Sequence, residues 1–328
     1  MPFKRILLAW AMIGLSGAAF AQTAPPTAAP SPASGDDHPM TRGPYTFGPD
    51  SKIQPGVPQG TVDKWRWDDS KIYPNTKCDV WVYVPAEYDP NTPACLMVFQ
   101  DGPRQFAVRE NEVYGPARYT AEYRAESVLD NLIFKKELPV MIAVFINPGS
   151  TQIAANGHPD FANRSVQYDT VSDTYSQFLL NEVLPVVEMK YNIRKDAAGR
   201  GIGGISSGAI CAFTVAWNHP DQFSKVLSDV GSFTNIRGGQ VYPKLVRDAA
   251  KKPLRVALED GTNDQRRPET PDRDWYLQNK LMHEALLARG YDVRYVLGDG
   301  KHDSKHGGAI FPDTMRWLWQ DQAPTATR

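Results

Sequence analysis

Residues 199–226 read GRGIGGISSGAICAFTVAWNHPDQFSKV, and this stretch decides the fold. A glycine-rich apolar segment leads to two serines, Ser206 and Ser207, and an apolar segment of helical length follows them. The pattern predicts a strand, a sharp turn and a helix over residues 208–219. Residues 204–208 (GISSG) match G-x-S-x-G, in which a serine on a strained strand-to-helix turn presents its hydroxyl above the sheet. Small residues flank the serine because a Cβ there would collide with the neighbouring strand and helix.

Short β-branched segments alternate with longer segments of helical period along the chain. This alternation predicts an α/β fold, in which a mostly parallel eight-stranded sheet carries helices on both faces. The first two strands are joined by a short turn and alternate polar with apolar residues, so we expect an antiparallel edge hairpin. The predicted strands are residues 60–69, 78–88, 95–102, 139–149, 199–206, 224–233, 254–261 and 292–300. The predicted helices are residues 121–134, 168–191, 208–219, 274–289 and 311–319.

The N-terminus has the pattern of a secretory signal peptide over residues 1–21. Lys4 and Arg5 precede an apolar segment that ends in a small-x-small triplet. That segment is shorter than the ~20 residues of a spanning helix, so we predict no membrane span and a secreted or periplasmic protein. Residues 22–42, rich in Pro, Ala and Ser, predict a flexible leader. One folded domain is then expected over residues 43–323.

The overall composition argues against nucleic acid as a partner and against a bound metal or cofactor. The chain has 36 basic and 37 acidic residues and a net charge of -1, so it lacks the basic excess of nucleic-acid-binding proteins. No CxxC or HExxH motif occurs, and we predict neither a metal site nor a cofactor. Cys78 and Cys95 open two strands expected to run in opposite directions, so we predict no disulfide between them. Cys211, on the helix after the serine turn, should be a buried free thiol.

A serine hydroxyl is a good nucleophile at neutral pH only when a histidine accepts its proton and an acid orients that histidine. After G-x-S-x-G the chain order is serine, acid, histidine. Two histidines, His302 and His306, lie in the loop GDGKHDSKHGG after the last predicted strand. We favour His302, which comes sooner after the strand and has glycines nearby. His306 would then cap or line the site, and it stays the alternative base.

The catalytic acid should follow the strand predicted over residues 254–261. Asp264 comes after a glycine-containing turn at the carboxyl end of that strand, where a carboxylate can turn back to the imidazole. We favour Asp264, with Asp260 and Glu259 as nearer rivals. Asp260 is equally suited to a role in the turn.

Two backbone amides should stabilise the oxyanion of the reaction. One is the amide of Ser207 at the start of the helix, where the helix dipole adds positive potential. The second should come from the loop FQDGPRQF after the third strand. We predict that its donor is the amide of Asp101 or Gly102.

With these residues in place, the chain resembles the putative esterase family of the α/β-hydrolase superfamily. That family includes enterochelin esterases, the feruloyl and acetylxylan esterases of carbohydrate esterase family one, and mycolyl-transferring relatives. The likeness spans about residues 98–319 and rests on VFQDG, LDNLI, NRSVQYDTVSDTYSQFLLNEVLPVVE, GGISSGAICAFTVAWNHPDQFSKVLSDVGSF and KHDSKHGGAIFPDTMRWLW. It implies an α/β-hydrolase fold with Ser206 as nucleophile, His302 at the histidine position and Asp264 where an acid is expected.

The chain departs from its siderophore-cleaving relatives at one motif. They commonly carry Arg-x-x-Glu, whereas Arg164 is followed by the neutral Gln167 and so loses that ion-pair partner, although Asp169 could replace it. The chain also lacks room for the extra N-terminal domain of cytoplasmic siderophore esterases. Both observations weaken a trilactone substrate.

The substrate prediction rests on aromatic residues in loops at the predicted site. Phe106, Tyr114, Phe233 and Trp275 suit a planar acyl group or a sugar, and ordinary core packing is the alternative role for most of them. The predicted substrate-binding residues are Arg164, Phe233, Trp275 and His306. The sequence thus predicts an exported serine esterase that acts on feruloyl or acetyl esters of plant polysaccharide. The alternatives are a siderophore or general short-chain esterase, an acyltransferase using the same acyl-enzyme, and a binding module that kept the fold without the chemistry.

Overall fold

The computed structural model describes residues 40–102, 106, 122–155 and 157–324. Within them, eight strands form one sheet in the order β1-β2-β4-β3-β5-β6-β7-β8. The strands are β1 (Thr61–Trp67), β2 (Cys78–Val84), β3 (Cys95–Gln100), β4 (Met141–Ile146), β5 (Arg200–Ile205), β6 (Lys225–Asp229), β7 (Arg255–Gly261) and β8 (Asp292–Gly298). All eight predicted strands are confirmed. The predicted signal peptide and Tyr114 lie outside the described residues.

The first strands run against the rest of the sheet. β2 pairs antiparallel with both β1 and β4, whereas the pairs from β4 through β3 to β8 are parallel. The predicted edge hairpin and the mostly parallel sheet are therefore confirmed. Cys95 is paired with Met141, at the start of β4. Cys78 lies two residues before Val80, which is paired with Ile146 at the end of β4. The two cysteines thus lie at opposite ends of the sheet. They and Cys211 are buried free thiols.

Helices cover both faces of the sheet because the strands are apolar on both faces. On β3, Leu96 and Val98 pack into one core, whereas Met97 and Phe99 pack into the other. The described helices of at least five residues are α1 (Ala125–Phe134), α2 (Arg164–Tyr168), α3 (Thr174–Phe178), α4 (Leu184–Lys190), α5 (Ser207–Asn218), α6 (Tyr242–Asp248), α7 (Trp275–Ala288) and α8 (Lys305–Trp319), with a π-helical segment Leu179–Val183 between α3 and α4. None of these helices is both long and apolar enough to cross a bilayer.

Two helix predictions differ from the structure. The helix predicted over residues 168–191 is wrong as a single element. It is broken after α2, where the Ser172 amide bonds to the carbonyl of Thr170 and the Ser172 hydroxyl accepts from the Thr174 amide. Such local bonds of serine compete with the helix. The last helix begins at Lys305 rather than residue 311, because tertiary contacts overcome the poor helix propensity of Gly307 and Gly308.

The parallel strands bring the loops that follow them to one edge of the sheet. The loops after β3, β5, β6, β7 and β8 carry the predicted site residues. Thr41 extends this edge beside β8. Its amide donates to the carbonyl of Leu297 at 2.9 Å and its carbonyl accepts from the amide of Asp299 at 3.1 Å. The start of the described chain therefore borders the loop that carries His302.

Candidate active site

Ser206 lies on a strained turn between β5 and α5. Its backbone has φ 60° and ψ -120°, a conformation that side-chain-bearing residues rarely adopt. The turn is tight, because a Cβ placed on Gly204 would lie 2.2 Å from the carbonyl carbon of Gly208. The Ser206 amide donates to the carbonyl of Asp229 at 2.9 Å, which ties the turn to β6. This geometry holds the serine hydroxyl at the carboxyl edge of the sheet, at the start of a 12-residue helix.

The structure brings Ser206, His302 and Asp264 together in one hydrogen-bonded series. Nε2 of His302 lies 2.8 Å from Oγ of Ser206, and Nδ1 lies 2.7 Å from Oδ1 of Asp264. A carboxylate only accepts, so Nδ1 carries the proton and Nε2 is left to accept from the serine hydroxyl. Asp264 is fully buried, whereas the His302 side chain is 21% exposed. The series is the one that a base-activated serine requires.

His306, the alternative base, lies elsewhere. Its Nδ1 is 2.6 Å from Oε1 of Glu259, and its Nε2 is 2.6 Å from Oγ1 of Thr41. Both ring nitrogens are therefore occupied, and the ring is buried against Tyr45. The structure does not bring His306 to Ser206 or to an open site surface, so the suggestion that it lines the site is not supported by its position.

Asp260, the rival acid, is buried in the turn before Asp264. Its Oδ1 accepts from the amide of Gly261 at 2.8 Å. Burial raises the pKa of the Asp260 carboxyl well above its usual range, and the charge of Asp264 adds to this shift. A structural role in the turn is what this hydrogen bond supports. Asp264, not Asp260, bonds to His302.

The loop after β3 contains Asp101 and Gly102, whose amides are the candidates for the second oxyanion donor beside the amide of Ser207. Asp101 and Gly102 both have left-handed backbones, with φ 67° and 52°. The Asp101 amide already donates to the hydroxyl of Tyr168 at 3.4 Å, so Gly102 is the better candidate of the two. Ser207 begins α5, whose positive end faces the hydroxyl of Ser206.

Arg164 bonds to the loop after β3 rather than to Asp169. Its Nε and Nη2 donate to the two carboxylate oxygens of Asp101, each at 2.6 Å. Nη2 also donates to the carbonyl of Ile205 at 3.2 Å. Burial opposes the charge, but Asp101 raises the pKa of Arg164 above its usual range. The expected ion pair with Asp169 is wrong. The side chain is 22% exposed, and its Nε and Nη2 are the atoms that bond to Asp101 and Ile205.

The predicted aromatic contacts are mostly core packing. Phe233 is fully buried and packs against Phe213 and Tyr242, so it offers no surface to a substrate and its predicted binding role is wrong. Phe106 is likewise fully buried. Trp275 is 7% exposed, and its ring edge faces His302 with centroids 5.6 Å apart. Of these aromatic residues, Trp275 is the one that the structure places beside the site.

Sequence reasoning missed Ser232. Its Oγ lies 3.1 Å from Oγ of Ser206, and it accepts from Nε1 of Trp275 at 3.1 Å. Ser232 follows β6 in a polar loop, GSFTN, at the carboxyl edge of the sheet, which was the available signal. The loop placed it near the site, but nothing in the pattern indicated which side chain turns inward.

Metal-binding residues do not gather at this site. Among the described residues, no group of three His, Cys, Asp or Glu side chains is arranged to hold a metal ion. The groups that the site does bring together are hydroxyls, an imidazole and a carboxylate, supported by backbone amides. This set suits acyl transfer through a serine nucleophile.

Comparison with known proteins agrees with this geometry. The family described as Putative esterase matches residues 71–316. The chain belongs to this family. The uncharacterised protein YbbA of Bacillus subtilis strain 168 is 20% identical over 247 residues, which cover 73% of this chain and 91% of YbbA.

Two solved structures illustrate the fold of this esterase family. The enterobactin esterase FES of Shigella flexneri superposes with a TM-score of 0.60 at 20% identity, over 83% of this chain and 62% of that chain. The CE1 ferulic acid esterase of Anaeromyces mucronatus superposes with a TM-score of 0.61 at 19% identity, over 82% of this chain and 94% of that chain. The chain thus spans less than two thirds of the enterobactin esterase and nearly all of the ferulic acid esterase. At this identity the likeness shows the fold alone.

Proposed function

We propose that this member of the esterase family is a serine carboxylic-ester hydrolase that acts through an acyl-enzyme. The observation that carries the proposal is the hydrogen-bonded series from Ser206 through His302 to Asp264. In acylation, Oγ of Ser206 attacks the ester carbonyl while Nε2 of His302 takes the hydroxyl proton, and Asp264 stabilises the imidazolium. The protonated His302 then gives this proton to the leaving alcohol. Water deacylates the enzyme through the same groups.

The oxyanion of each tetrahedral intermediate would be bound between the loop after β3 and the start of α5. The amides of Gly102 and Ser207 are the proposed donors, and the positive end of α5 adds favourable potential. Arg164 keeps the two segments together through Asp101 and Ile205.

For the substrate, we favour a feruloyl or acetyl ester of plant polysaccharide. The chain spans 94% of a ferulic acid esterase, and a second structure of that esterase contains ferulic acid. Siderophore esters are the second candidate, since enterobactin esterases share the fold. Against them stands the neutral Gln167 near Arg164, whose Nε and Nη2 already bond to Asp101 and Ile205.

A substrate panel tests the proposal. Purified protein and the Ser206→Ala variant are assayed on p-nitrophenyl, methyl feruloyl, acetylated-xylan and enterobactin esters, with release of acid and of alcohol both measured. We expect turnover of feruloyl or acetyl esters that Ser206→Ala abolishes. Turnover of enterobactin alone would reverse the order of substrates. Alcohol release without acid release, in the presence of a sugar acceptor, would indicate acyl transfer.

The predicted signal peptide supports an exported enzyme. We expect the mature protein to begin at Gln22 after cleavage behind Ala21. N-terminal sequencing of the protein from the periplasm or medium of an expressing bacterium tests this. An intact Met1 in the cytoplasm would contradict it.

A further inference from the structure

Ser232 is bound to Ser206 through both its backbone and its side chain. The amide of Ser232 donates to the carbonyl of Ser206 at 3.1 Å, and the two Oγ atoms are 3.1 Å apart. Ser232 is fully buried. Within the described residues, Oγ of Ser206 therefore has two hydrogen-bond partners, His302 on one side and Ser232 on the other.

Trp275 fixes the direction of the bond between the two serines. The indole N–H only donates, so Ser232 Oγ accepts from Nε1 of Trp275 at 3.1 Å. Trp275 is the first residue of α7, whose start is capped by the Asp274 carboxylate accepting from the Leu277 amide. The described residues place no acceptor other than Ser206 within hydrogen-bond distance of the Ser232 hydroxyl.

One arrangement of protons satisfies every group in this series. Trp275 donates to Ser232, Ser232 donates to Ser206, and Ser206 donates to Nε2 of His302. The opposite direction between the serines would leave Nε2 of His302 without a donor. It would also leave the buried proton of Ser232 without an acceptor in the described structure, and buried polar groups are usually paired.

The turn that carries Ser232 is strained. Val230, two residues earlier, has φ 42°, which is a genuine outlier for a β-branched residue. Its amide is held by the carbonyl of Glu259 at 2.9 Å. Strain of this kind collects at functional sites, where the surrounding structure maintains it. Here it turns the chain after β6 so that Ser232 lies against the nucleophile.

We propose that Ser232 is a further catalytic residue, whose hydroxyl donates to the nucleophile Oγ of Ser206, and that Trp275 is the positioning residue that sets this direction. The inference rests on the proposed function. In acylation the Ser206 O–H bond breaks, its proton passes to His302, and Oγ bonds to the carbonyl carbon. In deacylation water bonds to that carbon, His302 takes a proton from the water and gives it to Oγ, and the bond from Oγ to the carbon breaks. Negative charge develops on Oγ in both halves, so the donor should affect kcat more than KM.

The first test measures reaction of Ser206 with a fluorophosphonate, in which Oγ bonds to phosphorus and fluoride leaves. We expect Ser232→Ala to lower the second-order labelling rate, and kcat on an activated ester, roughly tenfold, the scale of one neutral hydrogen bond, with KM unchanged. The matched control is Ser228→Ala. Ser228 is a buried serine of β6 whose hydroxyl has no partner among the described residues, so this variant should label at the wild-type rate.

The second test separates Trp275's bond to Ser232 from its packing on His302. Trp275→Phe is made in the wild type and in Ser232→Ala. Ser232→Ala alone leaves the indole N–H of Trp275 without its acceptor, and the double variant removes that N–H as well. We expect Trp275→Phe to slow labelling in the wild type and to add nothing in Ser232→Ala. Rates are compared among variants whose thermal melts remain cooperative.

The outcomes distinguish the inference from the proposed function. Wild-type labelling of Ser206 with an equal rate in Ser232→Ala would overturn the inference while the serine-hydrolase proposal stands. An equal factor for Trp275→Phe in both backgrounds would also overturn it. Absence of labelling at Ser206 in the wild type would overturn both.

Discussion

Arg164 donates two hydrogen bonds of 2.6 Å to the carboxylate of Asp101, 63 residues away in the chain. The same guanidinium donates to the carbonyl of Ile205, the residue before Ser206. One side chain thus joins the loop after β3 to the turn that carries Ser206. Each of these segments carries one of the proposed oxyanion donors, so Arg164 joins the two parts of the proposed oxyanion site.

Arg164→Lys should therefore lower kcat without changing KM. A single ammonium group cannot make the two parallel bonds to Asp101 and the third to Ile205, so the loop after β3 loosens. We expect a loss of roughly tenfold, since small displacements of catalytic groups are costly. Steady-state kinetics on an activated ester measure it. Arg255→Lys, which alters a similar ion pair with Asp292 at the opposite edge of the sheet, is the control. A raised KM with normal kcat would instead indicate that Arg164 binds substrate.

The two buried aspartates should respond very differently to conversion to asparagine. Asp264→Asn removes the acceptor of the Nδ1 proton of His302 and should lower kcat by up to ~10⁴. Asp260→Asn should cost far less, because Asp260 makes no bond to His302 and burial raises the pKa of its carboxyl, whose neutral form an amide resembles. Measured kcat for both variants decides between them. A large loss at Asp260 with normal turnover at Asp264 would refute the assignment. A loss of only a few-fold at Asp264 would indicate that Ser206 and His302 suffice without the carboxylate.

The two histidines of the loop after β8 should separate activity from stability. His302→Ala should abolish turnover, with a loss on the order of 10⁴ or more in kcat. His306→Ala should mainly lower the melting temperature, because it leaves the buried Glu259 without its imidazole partner. Both kcat per folded molecule and thermal melts are recorded. Loss of turnover in His306→Ala at an unchanged melting temperature would make His306 the base.

Glu259 should make the protein less stable as the pH rises. Burial, reinforced by the charge of Asp264, raises the pKa of Glu259 well above its usual range, and burial lowers the pKa of His306. Below about pH 4 both the folded and the unfolded carboxyl are protonated. Above it the unfolded carboxyl ionises while the folded one keeps its proton, so the free energy of unfolding falls by up to about 1.4 kcal/mol per pH unit until the folded pKa is reached.

Replacement of that carboxyl tests this dependence. Glu259→Gln should flatten the fall in the free energy of unfolding between pH 5 and pH 9, measured by urea titration. Glu284→Gln, on the exposed face of α7, is the matched control. An equal slope in Glu259→Gln and the wild type would show that Glu259 does not bind its extra proton in the folded state.

The local sequence pattern predicted the strands, the antiparallel edge hairpin and the loops that meet at the site. The serine, acid and histidine could be proposed because each directly follows a strand, and the carboxyl ends of parallel strands share one edge. Ser232 and Phe233 show where this reasoning stops. They are neighbours in one loop, yet Ser232 bonds to the nucleophile and Phe233 packs in the core. No periodicity in the sequence encodes which of the two turns toward Ser206.

The ion pair between Asp101 and Arg164, which are far apart in the sequence, could not be predicted either. Asp101 appeared only as a turn residue with a backbone donor, and Arg164 as a substrate contact, because nothing local relates the two. The apolar pattern favours one helix over residues 168–191. Local hydrogen bonds of Ser172 interrupt that helix, and the pattern does not reveal them.

The central claim is that Ser206 becomes acylated, and one measurement addresses it directly. The protein is mixed with a p-nitrophenyl ester, quenched in acid during turnover and digested with trypsin, and the peptide of residues 201–225 is analysed by tandem mass spectrometry. The account predicts a mass increase equal to the acyl group, with fragment ions that locate it on Ser206 rather than Ser207, and no such peptide from Ser206→Ala. Acylation at another residue, or wild-type hydrolysis by Ser206→Ala, would contradict it.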